Sequence, residues 1–451
     1  MTAARGDTLP QVDREVPGDA GALAAGVPAY VVCFCLAIGA QFMSGSSDHY
    51  RLPLPPDRVL LLLALVLAAL HPDARAVRWR LRPIHLAMVA ALGWCLLSMI
   101  WFGGITDPVA VFAFADSFGV VPFTLFLLAP VVFGTAARRD ALMLTLTVLG
   151  LYLGWISVAQ GLHLYELVVP SSLVQPGHTH FDRAIGPSLQ VASNGLALMG
   201  CAVAAAVTIA RRTGPLRVVA IVALALCLAG AFFTLTRSIW LATLLGTAAV
   251  VLLERRLHRA ALIGAAIGLV ALAAAMAVPS ISDAVLERAE TSRSVYDRLN
   301  ANEAAVRVVQ ARPLSGVGFG RFHVVESDWV WQSPTYPITT MGIDVHNVFL
   351  GYAAELGLPG LALWLVVVLF ALDAVAGGPR SPQLRVYRLA ALAYAIAWLT
   401  VAMLVPIKYA FPTSLLWVLL GIVASGARLG VSTRTEPSAD LAARPAARPA
   451  P

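Results

Sequence analysis

The chain has 451 residues, of which 59% are hydrophobic and 13% are charged, and its mean hydropathy is +0.78. These values exclude a soluble globular domain and indicate a multi-pass membrane protein. The net charge of +7 is compatible with a nucleic-acid partner. The arginines, however, cluster in short connections, as topology signals do, so we expect no nucleic acid to bind.

Twelve apolar stretches approach the ~20 residues that a helix needs to span a bilayer. A lipid-exposed backbone must satisfy its own hydrogen bonds, so each stretch is expected to be helical. The predicted fold class is therefore all-α, a polytopic membrane protein with about 12 transmembrane helices. The stretches lie at residues 27–43, 54–70, 84–103, 117–134, 141–160, 189–210, 218–236, 238–253, 261–278, 347–371, 389–406 and 413–427.

Basic residues are distributed unequally between the two sides of this predicted bundle. Five connections on one side hold fifteen of them, whereas the five short connections on the other side hold five, counting Arg58. The positive-inside rule then places both termini in the cytoplasm. Residues 1–26 form a polar tail without the features of a removable signal peptide, so the first apolar segment should be retained as a helix. Residues 428–451 are expected to be a disordered cytoplasmic tail.

The remaining connection, residues 279–345, is long enough to escape the charge rule and is predicted to be a large extracytoplasmic loop. Within it, Arg298, Ala305 and Val309 recur at helical spacing, and Pro313 should end that helix. The glycine-rich SGVGFG that follows has no strand before it. We therefore interpret it as a flexible turn and not as a phosphate-binding loop.

Arg237 is the first candidate for a functional residue. It is the only charged residue in the run CLAGAFFTLTRSIWLATLLGTAAVVLL and falls at the break between the seventh and eighth predicted helices. Ionisable groups at membrane depth are costly and usually functional. The alternative interpretation is an arginine that snorkels to the membrane interface.

The stretch IDVHNVFL places His346 and Asn347 at the start of the tenth predicted helix. Asp344 is a suitable N-cap, which would put both residues in the first turn. The helix dipole there favours a neutral imidazole, whereas Asp344 opposes this effect. A neutral imidazole that faces a cavity can accept a proton from a hydroxyl group. The alternative is a histidine of the capping region that contacts lipid headgroups.

Metal-binding patterns are weak in this sequence. The five cysteines all lie in apolar stretches and form no Cys-x-x-Cys pair, so we interpret them as small helix residues. HTHFD, at residues 178–182, has two histidines and a carboxylate, but a polar loop explains it better than a metal site. The sequence has no DxD and no HExxH motif. We therefore expect no metal ion and no cofactor.

Three segments together resemble the core of the O-antigen ligase / O-antigen polymerase family. They are LTRSIWLATLLG, which contains Arg237; RLNANEAAVRVVQARPLSGVGFGRF, which starts at Arg298; and HNVFLGYAAELGLPGLALWL, which starts at His346. The family core has an SR or TR at a helix break, an arginine fifteen residues before the proline of a P-L-x-G-x-G turn, and an HN-x-x-L…E-x-G-x-x-G helix start. The similarity covers about residues 225–370. The family often has tryptophan where this chain has Asn302.

This resemblance implies a metal-independent, inverting glycosyltransferase of the C-type fold in the bacterial cytoplasmic membrane. It would transfer a glycan from undecaprenyl pyrophosphate to an acceptor hydroxyl on the extracytoplasmic side, during synthesis of surface polysaccharide such as lipopolysaccharide. Carried onto this chain, Arg237 and Arg298 would hold the pyrophosphate, and His346 would act as the base or orient the acceptor. Further substrate-binding candidates are Arg183, in the loosely similar segment RAIGPSLQVASNGLAL, and Arg321 and Asn347.

Two alternatives remain at the level of sequence. A ligase and a polymerase share this core and differ in the acceptor, which the sequence does not identify. A lipid-linked glycan flippase or transporter would also be polytopic with arginines in a cavity. Such a protein would need no histidine on the acceptor side, and it can show repeat symmetry between its halves, which we do not find here.

Overall fold

The computed structural model describes residues 26–43, 55–175, 183–290 and 293–433. Nearly all of the predicted N-terminal tail, the HTHFD segment at 178–182 and most of the predicted C-terminal tail lie outside these ranges. The predictions made for those residues stay predictions.

The described chain is mostly helical, as the composition predicts. The helices, in chain order, are α1 (Ala29–Ala40), α2 (Pro56–Leu70), α3 (Pro72–Arg75), α4 (Pro83–Trp101), α5 (Pro108–Ala113), α6 (Val120–Val132), α7 (Ala136–Gly161), α8 (Val191–Arg211), α9 (Gly214–Phe233), α10 (Arg237–Leu253), α11 (His258–Met276), α12 (Pro279–Glu290), α13 (Arg293–Ala311), α14 (Phe322–Val325), α15 (Val348–Ala376), α16 (Pro382–Ala402) and α17 (Ala410–Val423). Two short strands are β1 (Val77–Trp79) and β2 (Val431–Thr433).

A helix lies on each of the twelve apolar stretches. Among the described residues, 7 helices are long and apolar enough to cross a membrane, or up to 8 if the bent pair of α11 and α12 counts as one span. Three further apolar helices are shorter. The helical, multi-pass character is thus confirmed, whereas the count of twelve spans and the side on which each end lies stay predictions.

The centre of the bundle is α8, which is enclosed by α7, α9, α16 and α17. Small residues allow the backbones to approach closely, as is usual between membrane helices. A Cβ atom on Gly154 of α7 would lie 2.8 Å from the main chain of Leu226 in α9. The cysteines of this region, Cys201 and Cys227, are buried and unpaired, in agreement with their interpretation as small helix residues.

The predicted large loop is folded. Apolar side chains from α13 and from the segment that follows it form a separate small core against α15. Buried members of this core are Ala304, Ala305, Val308, Val317, Phe322, Val330, Val345 and Ala354. Helix α13 ends at Ala311, two residues before Pro313, as the sequence predicts. The small core therefore fixes the backbone from which the polar side chains of the loop project.

The glycine turn at residues 316–320 is a tightly packed element, so its interpretation as a flexible turn was wrong. The N–H of Val317 donates to the carbonyl of Ala354 at 3.0 Å, and the N–H of Gly318 donates to that of Glu355 at 2.9 Å. The turn is thus hydrogen-bonded to the backbone of α15. Its hydrogen-bond partners lie in a helix, 37 positions further along the chain.

Helix α15 can accept this turn because its backbone opens at Gly357. That residue has φ 71° and ψ 174°, a conformation in which residues other than glycine are strained. The next N–H, that of Leu358, leaves the helix and donates to the carbonyl of Pro313 at 2.7 Å. A Cβ on Gly357 would lie 2.4 Å from the carbonyl oxygen of Leu314. The break at Gly357 therefore positions the glycine turn. Because Leu358 binds Pro313, the break also positions the chain directly after α13.

The start of the predicted disordered tail is ordered. Strand β2 pairs antiparallel with β1, and Val77 lies opposite Thr433. Strand β1 belongs to the arginine-rich connection RAVRWRLR, which sequence patterns do not distinguish from a loop. The pairing brings the chain after the last helix beside the connection between α3 and α4.

Candidate functional site

One cavity of about 280 Å³ brings together distant parts of the chain. We call it the arginine cavity, and it lies between the start of α8, the break between α9 and α10, the start of α13 and the segment before α15. Its lining residues are Arg183, Gln190, Val191, Ala192, Leu235, Thr236, Arg237, Val295, Asp297, Arg298, Ile343, His346 and Val405. Four of the six residues selected from the sequence therefore face one space.

Arg237 is the first residue of α10. Helix α9 ends at Phe233, and the chain turns through Leu235, whose φ is 47°. This left-handed conformation is costly for a leucine and is maintained only where the surroundings hold it. The Arg237 side chain is exposed towards the cavity. The N-terminal end of a helix carries positive partial charge, so this position adds to the attraction of an anion.

Arg183 holds this break in place. Its Nε and Nη2 atoms donate to the carbonyl of Thr234 at 2.8 and 2.6 Å, and Nη2 also donates to the carbonyl of Leu235 at 3.0 Å. Nη2 further donates to Oγ1 of Thr236 at 2.5 Å. The buried guanidinium thus satisfies carbonyls that the interrupted helix leaves open. Arg183 lines the cavity, but these contacts indicate that it positions Arg237.

Arg298 approaches Arg237 from α13. Its guanidinium is half-buried, and within the described residues it makes no hydrogen bond or ion pair. Burial and, after it, the positive charge of Arg237 lower the pKa of Arg298, and the carboxylate of Asp297 opposes them. Two cations held together in a cavity repel each other unless an anion lies between them. The site is therefore suited to a group with more than one negative charge.

His346 completes the cavity with a defined tautomer. Its Nδ1 lies 2.9 Å from the carbonyl oxygen of Asp344. A carbonyl can only accept, so Nδ1 carries the proton and Nε2 has a free lone pair. Burial first, and then the charge of Arg298, lower the pKa of His346. The imidazole is consequently neutral at physiological pH and able to accept a proton.

The helix start differs from the prediction. Asn347 is the N-cap of α15, and its Oδ1 accepts the N–H of Leu350 at 3.0 Å. His346 therefore precedes the helix and does not lie in its first turn. Asp344 is not a cap, because its carboxylate is paired with Lys408 at 2.6 Å. The neutrality of His346 follows from burial and Arg298, whereas the sequence had suggested the helix dipole.

The remaining two candidates lie away from the arginine cavity. Asn347 lines a second, smaller cavity of about 40 Å³, together with Asp344, Glu355 and Lys408. We call it the lysine cavity. Arg321 is absent from both linings, and its Nη1 lies beside Gly103 after the end of α4. The structure thus brings together Arg183, Arg237, Arg298 and His346 and leaves Arg321 apart.

Sequence reasoning missed several residues that shape the site. The Oδ1 of Asn302 accepts the N–H of His346 at 3.2 Å. The carboxylate of Glu326 accepts the N–H groups of Gly342 and Ile343. Asn302 had a signal, since it replaces the tryptophan frequent in the family pattern. No sequence signal marked Glu326, because its hydrogen-bond partners are backbone N–H groups about 16 positions further along the chain.

Metal ligands do not cluster here. Within the residues that the structure describes, no three His, Cys, Asp or Glu side chains lie together as a metal ion would require.

The fold and the site define a class of protein: a multi-pass helical membrane protein with a cationic, histidine-containing cavity at the end of its bundle. The family model described as O-Antigen ligase matches residues 222–365. This segment of the chain is thus similar to the O-antigen ligase family, as the three motifs indicated. The match includes Arg237, Arg298 and His346 and supports a glycosyltransferase-like function with a lipid-linked glycan substrate. No curated protein matches the chain significantly.

Proposed function

We propose that this chain is a metal-independent, inverting glycosyltransferase. It moves a glycan from undecaprenyl pyrophosphate to an acceptor hydroxyl on the outer side of the cytoplasmic membrane. The observation that carries the proposal is one cavity in which Arg237, Arg298 and a neutral His346 face each other. The two arginines can bind the anionic pyrophosphate that leaves, and the histidine can accept the proton of the attacking hydroxyl.

The two arginines would bind the pyrophosphate of the donor. A guanidinium presents planar, paired N–H donors that match phosphate oxygens and keeps its charge at every physiological pH. When the glycosidic bond breaks, negative charge grows on the phosphate oxygen that leaves. Fixed cations already oriented towards that oxygen stabilise the charge without rearrangement, and this contribution is often the largest one in catalysis.

His346 would act on the acceptor. The acceptor hydroxyl attacks the anomeric carbon from the face opposite the pyrophosphate, and its proton passes to Nε2 of His346. The C–O bond to the phosphate breaks, undecaprenyl pyrophosphate leaves with the electron pair, and the configuration at the anomeric carbon inverts. The hydrogen bond from Nδ1 to Asp344 stabilises the imidazolium that forms, as a carbonyl acceptor does for other histidine bases.

A polysaccharide polymerase of the same family is the closest alternative, and it differs only in the acceptor. A lipid-linked glycan flippase belongs to another class. A flippase would need cations for the pyrophosphate, but it has no use for a histidine with a free lone pair in the same cavity. The tautomer of His346 therefore favours a transferase.

The test uses the full-length protein in nanodiscs with an undecaprenyl-pyrophosphate-linked glycan and candidate acceptors. We expect a covalent product with inverted anomeric configuration, formed equally well with EDTA in excess. Growth of the donor glycan itself would identify a polymerase. Movement of the intact donor across a proteoliposome bilayer without a covalent product would support a flippase and contradict the proposal. Loss of transfer that Mg²⁺ or Mn²⁺ restores would contradict metal independence.

A further inference from the structure

We propose that Lys408 is a positioning residue that acts on His346 through Asp344. The inference rests on the proposed function, because it assigns Lys408 a part in the same transfer reaction. It concerns the lysine cavity, which the proposed donor site does not use.

Lys408 is unusual in this chain because every other basic residue except histidine is an arginine. It lies in the connection between α16 and α17, and its Nζ donates to Oδ1 of Asp344 at 2.6 Å. Both side chains are only 29% exposed. A lysine can direct a single point charge into such a narrow space, whereas the wider guanidinium of arginine requires more room.

The charges around Lys408 keep it protonated. Burial alone would lower the pKa of Lys408, but the carboxylates of Glu355 and Asp344 outweigh burial and raise it. Asp107, from the start of α5, also contributes to this increase. Nδ1 of His323 lies 4.0 Å from the same oxygen of Asp344 that Lys408 contacts. The ammonium thus lies beside one half-buried carboxylate, Asp344, and near one buried carboxylate, Glu355.

The segment before α15 separates the two cavities. Ile343 and His346 line the arginine cavity, whereas Asp344 and Asn347 line the lysine cavity. Asp344 therefore connects both sides: its side chain binds Lys408, and its carbonyl accepts the proton of His346 Nδ1. Any rotation of the Asp344 peptide would break the bond that selects the tautomer of the histidine.

Without the ammonium, Asp344 would share a buried space with Glu355 and no neutralising cation. Removing one partner of a partly buried ion pair is unfavourable, because the remaining charge is left uncompensated. The carboxylate of Asp344 would turn towards water and carry its backbone with it. His346 would then lose its Nδ1 acceptor, while Arg237 and Arg298 would keep their places. A loss of Lys408 should therefore slow transfer and leave donor binding intact.

The first arm of the test measures steady-state transfer by Lys408→Met, Lys408→Gln and Lys408→Arg. We expect kcat to fall by up to about 100-fold in the Met and Gln variants, the scale on which a misplaced catalytic group acts. The KM for the donor should stay within twofold of the parent value, roughly the limit of a neutral change. Lys408→Arg should recover part of kcat because it restores the charge. Arg385→Met, which removes the ion pair of an exposed arginine with Glu254 elsewhere in the bundle, is the matched control and should have no effect on kcat.

The second arm does not depend on activity. Because the chain has one lysine, an amine-reactive ester labels Lys408 and otherwise only the terminal amine, and peptide mass spectrometry reads the two separately. An exposed lysine installed by Arg256→Lys serves as the internal reference. We expect Lys408 to react slowly in the parent and faster in Asp344→Asn, by about tenfold for each unit by which its pKa falls. Equal rates of labelling with and without Asp344 would contradict the ion pair.

The outcomes separate the two proposals. If the parent shows no glycan transfer, the proposed function fails and the labelling arm still tests the ion pair. If the parent is active and folded Lys408→Met or Lys408→Gln keeps the parent kcat, the positioning role is wrong and the transferase remains. An equal loss of kcat and of donor affinity would indicate a general structural role and would also overturn the inference.

Discussion

The Nδ1 atom of His346 lies 2.9 Å from the carbonyl oxygen of Asp344, and this contact determines which ring nitrogen can act as a base. The carbonyl binds the proton on Nδ1, so Nε2 is the free acceptor. Arg298 lines the same cavity and disfavours protonation of the ring. The geometry therefore favours a base that is neutral before the reaction and becomes charged during it.

The first prediction is a pH profile. The pKa of His346 lies below its ordinary value of 6.5, because of burial first and the charge of Arg298 second. Since only the neutral ring accepts a proton, kcat/KM should fall on the acidic side with a midpoint below 6.5 and stay level above it. The ionisation of the donor pyrophosphate, followed by ³¹P NMR, is the necessary control. An acidic midpoint above 6.5 that belongs to the enzyme would contradict this environment.

The second prediction concerns the two cationic side chains. Arg237→Lys and Arg298→Lys keep the charge but lose the planar pair of donors. Loss of one hydrogen bond to a charged group costs about 1.5–3 kcal/mol, so kcat/KM for the donor should fall about 10- to 100-fold in each variant. Arg256→Lys, on an exposed turn after α10, should behave as the parent does. Full activity of either cavity variant would remove that arginine from the donor site.

Arg183→Lys distinguishes a positioning arginine from a binding one. Its guanidinium satisfies carbonyl groups of the α9–α10 break, which a lysine cannot do with the same geometry. We therefore expect a lower melting temperature together with lower activity. Arg237→Lys should change activity alone. A variant of Arg183 with unchanged stability and weaker donor affinity would instead make it a direct ligand of the substrate.

The third prediction tests the support of the site. In Gly357→Ala the new Cβ would meet the carbonyl of Leu314 and the residue would have to keep a positive φ. The two effects each cost about 1–3 kcal/mol, so the thermal stability in detergent should fall clearly. Gly264→Ala is the matched control, because nothing lies within 4 Å of its added Cβ in α11. It should be neutral or stabilising, as Ala favours helix.

The fourth prediction concerns the side of the membrane. Ser327, in the folded loop, and Arg380, between α15 and α16, are both exposed. In a background without native cysteines, Ser327→Cys should react with a membrane-impermeant maleimide in intact cells, whereas Arg380→Cys should react only after the cells are opened. The opposite pattern would place the arginine cavity in the cytoplasm and reject the proposed donor side.

The sequence predicted those features that depend on nearby residues. Apolar length located the helices, proline marked the end of α13, and an isolated charge marked the break at Arg237. The family motifs then selected three residues that share one cavity. These predictions were possible for two reasons. A backbone exposed to lipid can satisfy its hydrogen bonds only as a helix or a closed barrel, and a charged side chain at membrane depth is costly and therefore rare.

Features that depend on distant partners were not predictable. Asp344 and Asn347 are both suitable N-caps, and the choice is made by Lys408, which is 64 positions away from Asp344. The glycine turn looked flexible because its hydrogen-bond partners lie in α15. Arg183 looked like a substrate ligand because its carbonyl partners come together only where α9 ends.

The most direct test of the central claim compares His346→Gln with the parent at matched expression and stability. Glutamine can hydrogen-bond an acceptor hydroxyl but cannot take its proton, whereas the donor should still bind to Arg237 and Arg298. We predict that donor binding is retained and that kcat falls ~10²–10⁴-fold, the usual cost of losing a general base. If His346→Gln transfers glycan as fast as the parent, His346 orients the acceptor or has a structural role and is not the base.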